Sequence, residues 1–176
     1  MKWINHGIIA GSTVAIVEPM LVPVAILGST APDWLETIAN KFFNARWEHR
    51  KQTHYLAVWL VACLIFWFVW DINGIFGGFA WGGLTHILAD SLTVSGVPMY
   101  PNAERRLHLF GGQLRTGDKQ EYFLSIGILL FSALIITITF DSSSGGFVPF
   151  FYNWGEMYHA GLIDASEYKA NRFRIF

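Results

Sequence analysis

Four side chains of metal-binding type stand in two short motifs: His49 and His54 in H-R-K-Q-T-H, and His86 and Asp90 in H-I-L-A-D. Imidazole nitrogens mixed with carboxylate oxygens suit Zn2+, Mn2+ or Fe, and water on such an ion is acidified toward hydroxide. The spacing of His86 and Asp90 puts both on one helix face, one turn apart. Further donors lie elsewhere: His6, Asp33 with Glu36 one turn on, and Glu121. His6, Asp33, His49, His54, His86, Asp90 and Glu121 together could hold one or two divalent ions, and a bridging carboxylate makes two the more natural number. The plainer reading is that Asp90 pairs with Arg50 or Lys51 and the histidines are interfacial. That reading is preferred for His108 and His159, which stand apart from the other donors.

These donors border apolar segments. Hydrophobic residues make up 53% of the 176-residue chain and charged residues 14%, against roughly 25% charged in soluble domains, so a membrane protein is expected. The net charge of −1 offers no global attraction to nucleic acid. A lone cysteine, Cys63, rules out a disulfide within the chain and a cysteine-rich zinc site. The N-terminal apolar stretch carries Glu18, Pro19 and Pro23 and is expected to be retained rather than cleaved.

The expected fold is an all-α polytopic bundle: residues 1–140 hold the site, and 141–176 form an extracytoplasmic, interfacial tail. Residues 55–70 and 74–97 read as a transmembrane hairpin, turned at 71–74, with the glycines at 77, 78, 82 and 83 allowing close packing. Residues 123–140 read as a further span, 98–122 as a polar loop, and the stretch around Phe42, Phe43 and Trp47 as an amphipathic surface helix. The hairpin puts His49, His54, His86 and Asp90 on one side, and Glu121 starts the next helix from that side. Residues 7–31 are long enough to span once, which would separate His6 from Asp33 by more than about 30 Å. Both can join the site only if the chain breaks at Glu18-Pro19 and folds back, and that broken hairpin is predicted. Lys2, Lys41, Arg46, Arg50, Lys51, Arg105, Arg106, Arg115 and Lys119 then share one side, which by the positive-inside rule is cytoplasmic.

The segments Asn5-His6-Gly7, Ala31-Pro32-Asp33-Trp34, H-R-K-Q-T-H at 49–54 and T-H-I-L-A-D-S-L-T-V-S-G-V-P-M-Y-P at 85–101 together resemble the YdjM-like family of predicted inner-membrane metal-dependent hydrolases. R-T-G-D-K-Q-E at 115–121 is similar to a later element of that family, and the resemblance covers about residues 5–125. It implies a polytopic hydrolase of the bacterial inner membrane with His6, Asp33, His49, His54, His86, Asp90 and Glu121 as its site. The chain departs from the family's P-D-x-D-H, reading P-D-W-L-E, so the second aspartate and the following His are lost, with Glu36 as their candidate substitute.

The chemistry this suggests is hydrolysis of a phosphoester of a lipid or lipid-linked substrate at the cytoplasmic face. Asp33 or Glu121 would bridge metals or act as general base, and Arg50 and Arg115 would hold phosphate through guanidinium forks. For Arg105 and Arg106, anchoring to anionic headgroups is at least as good a reading. The alternative is a non-enzymatic subunit of an envelope assembly that keeps a structural metal site and docks a membrane-protein partner through its aromatic tail. A transporter is disfavoured, because the polar residues gather on one side instead of crossing the membrane.

Overall fold

The computed structural model describes residues 1–48, 50–71, 74–139 and 158–171. His49, the Ile72-Asn73 pair of the expected turn, and most of the tail lie outside the described residues.

The described chain is mostly helical. Helix α1 runs Trp3–Ala15 and ends in a turn at Glu18, whose carboxylate accepts from the Met20 N–H at 3.4 Å. Pro19 opens a 3-10 turn (Pro19–Leu21), and Pro23 lies in the first turn of helix α2 (Val22–Gly28), positions where a missing N–H costs least. A Cβ on Gly11 would lie 3.2 Å from Ile26, and one on Gly7 3.6 Å from the same residue, so α2 runs back along α1. The broken hairpin therefore returns Asp33 to the end of the bundle that holds His6.

Helix α3 (Ala31–Phe43) begins with Pro32 in its first turn and stops at Asn44, whose φ of 50° is a left-handed cap. At its far end Phe42 and Phe43 are 71% and 76% exposed, an outward apolar pair of the kind expected for a surface helix. Helices α4 (Leu56–Phe68) and α5 (Ile75–Ser91) form the central hairpin. The centre of the bundle is α5, which packs against α1, α2, α3 and α4. Two adjacent glycines permit this. A side chain on Gly82 would run into the Ala25 carbonyl of α2, and one on Gly83 into the Trp59 ring of α4.

Helix α6 (Lys119–Thr139) packs along α1. Among the described residues it alone is long and apolar enough to cross a bilayer. The sequence suggested two further spans over 55–70 and 74–97, but both arms are shorter. Helix α4 stops at Phe68 with 13 residues, and α5 ends after 17, just before Thr93 pairs with Leu114. At about 1.5 Å per residue these helices measure roughly 20 and 25 Å, against a hydrocarbon core of about 30 Å. By length, a membrane-crossing arrangement rests on α6. The loop after α5 is also more ordered than a polar linker, with Val97 and Pro98 paired antiparallel to Leu107 and Arg106. A short helix, Ala165–Asn171, is the one regular element described in the tail.

Candidate metal centre

Three helices and one turn bring the donors together. His6 comes from the first turns of α1, Asp33 from the first turn of α3, His54 from the turn before α4, and His86 and Asp90 from successive turns of α5. His6, His54, His86 and Asp90 are buried to 1% exposure or less, while the Asp33 side chain keeps 19%. Buried imidazoles and carboxylates demand partners.

Their donor atoms fall into two groups, His6-His86-Asp90 and Asp33-His54-His86, each gathered within 4.8 Å. His6 Nε2 lies 3.4 Å from Asp90 Oδ1, His54 Nε2 3.4 Å from Asp33 Oδ1, and His86 Nε2 3.7 Å from Asp90 Oδ2 and 3.9 Å from Asp33 Oδ1. The His6 and His86 rings stack at 3.8 Å, with the His54 ring edge-on to His86 at 5.3 Å. His86 belongs to both groups. Its Nδ1 lies 2.6 Å from the Ser29 carbonyl oxygen, so Nδ1 carries the proton and Nε2 presents its single lone pair to the cluster.

The donor set fits a metal on two counts. A tetrahedral ion with bonds of about 2.0–2.1 Å separates its ligands by roughly 3.3 Å, close to the 3.4–3.9 Å found here. Both ring nitrogens of His6 and His86 Nε2 are buried and make no hydrogen bond among the described residues, a costly arrangement that a cation would relieve.

Around the donors stand residues that orient them, as second partners of metal ligands do. The Trp3 indole N–H donates to Asp33 Oδ2 at 2.6 Å, and Thr53 Oγ1 lies 3.0 Å from His54 Nδ1. Although burial works to raise the Asp33 carboxyl, the hydrogen bond from His54, the nearby His86 and the Trp3 indole hold it well below the usual carboxylate range. Asp90 also accepts from the Met1 amine at 2.6 Å, and Arg50 Nη2 reaches its other oxygen at 3.3 Å. Asp90 therefore makes the ion pair with Arg50 that the plainer reading of the sequence expects.

Arg50 is placed by its own backbone. It has φ of 57°, a conformation sparsely used by a residue with a side chain. Its N–H donates to Glu36 at 3.2 Å, and its carbonyl accepts from Arg106 at 2.7 Å. Glu36 thus fastens the loop that carries Arg50 and is not among the gathered donors.

Other expected site residues sit apart. Glu121 is fully buried, but it is not among the gathered donors. Its Oε2 instead accepts from the Lys2 N–H at 3.3 Å and Asn5 Nδ2 at 3.1 Å, so it caps the start of α1 beside the cluster. Arg115 is exposed in the loop before α6 and touches none of the donors, and His108 and His159 are likewise exposed. Three contributors were not foreseen: Trp3, Asn5 and Ser125, whose hydroxyl donates to Asn5 Oδ1 at 3.0 Å. Trp3 stands three residues before His6, and Ser125 four after Glu121, the spacings of a shared helix face.

Fold and cluster define a helical protein with, among the described residues, one bilayer-length helix and a buried His/Asp cluster at one end of its bundle. A family model described as YdjM inner membrane protein matches residues 1–141, and the chain belongs to that family. No curated protein and no solved structure matches it.

Proposed function

We propose that the protein is a membrane-bound, metal-dependent hydrolase that cleaves a phosphoester of a lipid or lipid-linked substrate at the cytoplasmic face. The observation that carries this reading is the convergence of His6, Asp33, His54, His86 and Asp90, with donors 3.4–3.9 Å apart. One divalent ion, Zn2+ before Mn2+ or Fe, suits it better than two, because the two donor groups share the single lone pair of His86 Nε2.

The ion would supply a Lewis acid for a phosphoryl oxygen and lower the pKa of water. His6, His54, His86 and Asp90 would hold it. Asp33, the most accessible of the gathered carboxylates, is better placed than Glu121 to take a proton, since the indole of Trp3 fixes one of its oxygens and leaves the other turned to His54. Arg50, 17% exposed and next to Asp90, would bind the phosphate. The basic residues of the same loops favour an inward-facing orientation.

A test is release of phosphate or a phosphorylated headgroup from a phospholipid panel by the purified protein, before and after chelation. Chelator-sensitive turnover that is lost in His86→Ala supports the reading; equal background release from all samples sinks it.

A second reading, a non-enzymatic envelope subunit with a structural metal, draws on the burial of four donors to 1% exposure or less. Closed sites are typical of structural zinc. In that case the metal would be retained and required for folding, with no turnover on any lipid.

A further inference from the structure

Below the cluster, α1 and α6 share a seam whose character changes abruptly along its length. Its upper end is polar and closed: Glu121, Asn5 and Ser125 are fully buried, with Asn5 hydrogen-bonded to both of the others. Further along, the seam opens into a groove of about 370 Å3 between α1, α2 and α6. Gly7 and Gly11 from α1, Val22 and Ile26 from α2, and Ser132 and Ala133 from α6 are among its lining residues.

The groove runs from Gly7 to Ala15 along α1, about 12 Å at 1.5 Å per residue. It is narrow because small residues leave it space, and it is flanked by Ile26, which is 43% exposed. Two features point to an occupant. The groove lies against α6, the helix with bilayer length and a mean hydropathy of 2.2, which in a bilayer would put hydrocarbon around it. Its upper end begins at Gly7, one residue from the donor His6 and beyond the closed polar end of the seam.

We propose that this groove seats one acyl chain of a bilayer phospholipid. The headgroup then lies at the His/Asp cluster, a placement that rests on the hydrolase reading above, whereas seating of the chain does not. Phospholipid would enter sideways from the leaflet, and the groove would align it with one chain along α6. The length of the groove would make it a measure of chain length. Ala133, exposed on α6 where it lines the groove, offers a way to block it without touching a metal donor or the buried seam.

The experiment uses the full chain in liposomes of phosphatidylethanolamine and phosphatidylglycerol doped with a phosphatidylethanolamine whose acyl chain carries a diazirine. After irradiation, adducts are mapped on peptides. Adducts concentrated at 7–15 and 129–136 are expected. Ala133→Phe fills the groove with a phenyl ring and should lower them about tenfold, the change that about 1.4 kcal/mol of lost binding gives, with bound metal unchanged. Ile136→Trp, also on the lining, is the second variant if Ala133→Phe does not fold. Adducts spread evenly over the exposed faces of α4 and α6, unchanged in both variants, would overturn the proposal. Concentrated, variant-sensitive adducts without any metal-dependent turnover would uphold the groove and remove the hydrolase reading.

Discussion

His86 Nδ1 and the Ser29 carbonyl oxygen are 2.6 Å apart, and this one contact sets the chemistry of the centre. The carbonyl belongs to the link between α2 and α3, so the N-terminal fold-back determines which nitrogen of an α5 histidine faces the other donors. Replacing His86 by Ala should therefore lower metal affinity by at least the order of 100-fold seen when a ligand's orienting partners are lost. Titration against a chromogenic chelator would measure it, with far-ultraviolet circular dichroism checking that the helices remain.

Trp3 tests orientation without removing a donor. Its side chain is 58% exposed, yet its indole holds Asp33 Oδ2. Trp3→Phe should weaken metal binding by roughly 10- to 100-fold while leaving the melting temperature nearly unchanged. The same chelator competition and a thermal melt in detergent would separate the two effects.

Glu121→Gln distinguishes a cap from a ligand. The amide keeps the carbonyl that can accept from Lys2 and Asn5 but loses the charge at the start of α1. The expected cost is about 1 kcal/mol of stability with metal stoichiometry unchanged. Loss of the metal in this variant would make Glu121 a ligand.

Gly82→Ala should destabilise the bundle by about 1–3 kcal/mol through overpacking, because its added methyl meets the Ala25 carbonyl of α2. Ala80→Gly, on the same helix and buried, should cost less, about 1 kcal/mol. Comparing the two by denaturant melts in one detergent isolates the backbone contact from general helix propensity.

The Asp33 carboxylate should make the stability of the fold depend on pH at its acid end. The Asp33 carboxyl is held below its ordinary range in the folded state, so its contribution to stability is full above about pH 3.9 and fades only as pH falls through its lowered value. Denaturant melts of the metal-free protein and of Asp33→Asn from about pH 7 down to about pH 2 check this: the stability difference between them should stay constant above about pH 3.9 and shrink below it, and a difference that does not change with pH would contradict it.

Much of the centre was legible where chemistry lies within one element. The four-residue spacing of His86 and Asp90 put them on one face of α5, and Glu18-Pro19 marked the break that brings His6 and Asp33 to one end. Contacts that depend on which faces meet were not legible. Nothing local ties Trp3 to Asp33, or turns Glu121 toward Asn5 instead of toward the donors. The arms of the central hairpin were read longer than the helices, because apolar composition continues past Phe68 at the end of α4 and past the Thr93 bridge after α5. Arg50 was singled out for its motif, but its left-handed backbone and its pairing with Asp90 come from the loop held by Glu36 and Arg106.

The central claim is that one ion sits where His6, His54, His86, Asp33 and Asp90 meet. Elemental analysis of the protein purified in detergent, together with His86→Ala and Asp90→Asn, tests it most directly. One equivalent of a transition metal per chain, lost in both variants, is the predicted result. Metal no higher than the buffer blank after zinc loading, or an equivalent that survives both substitutions, would contradict it.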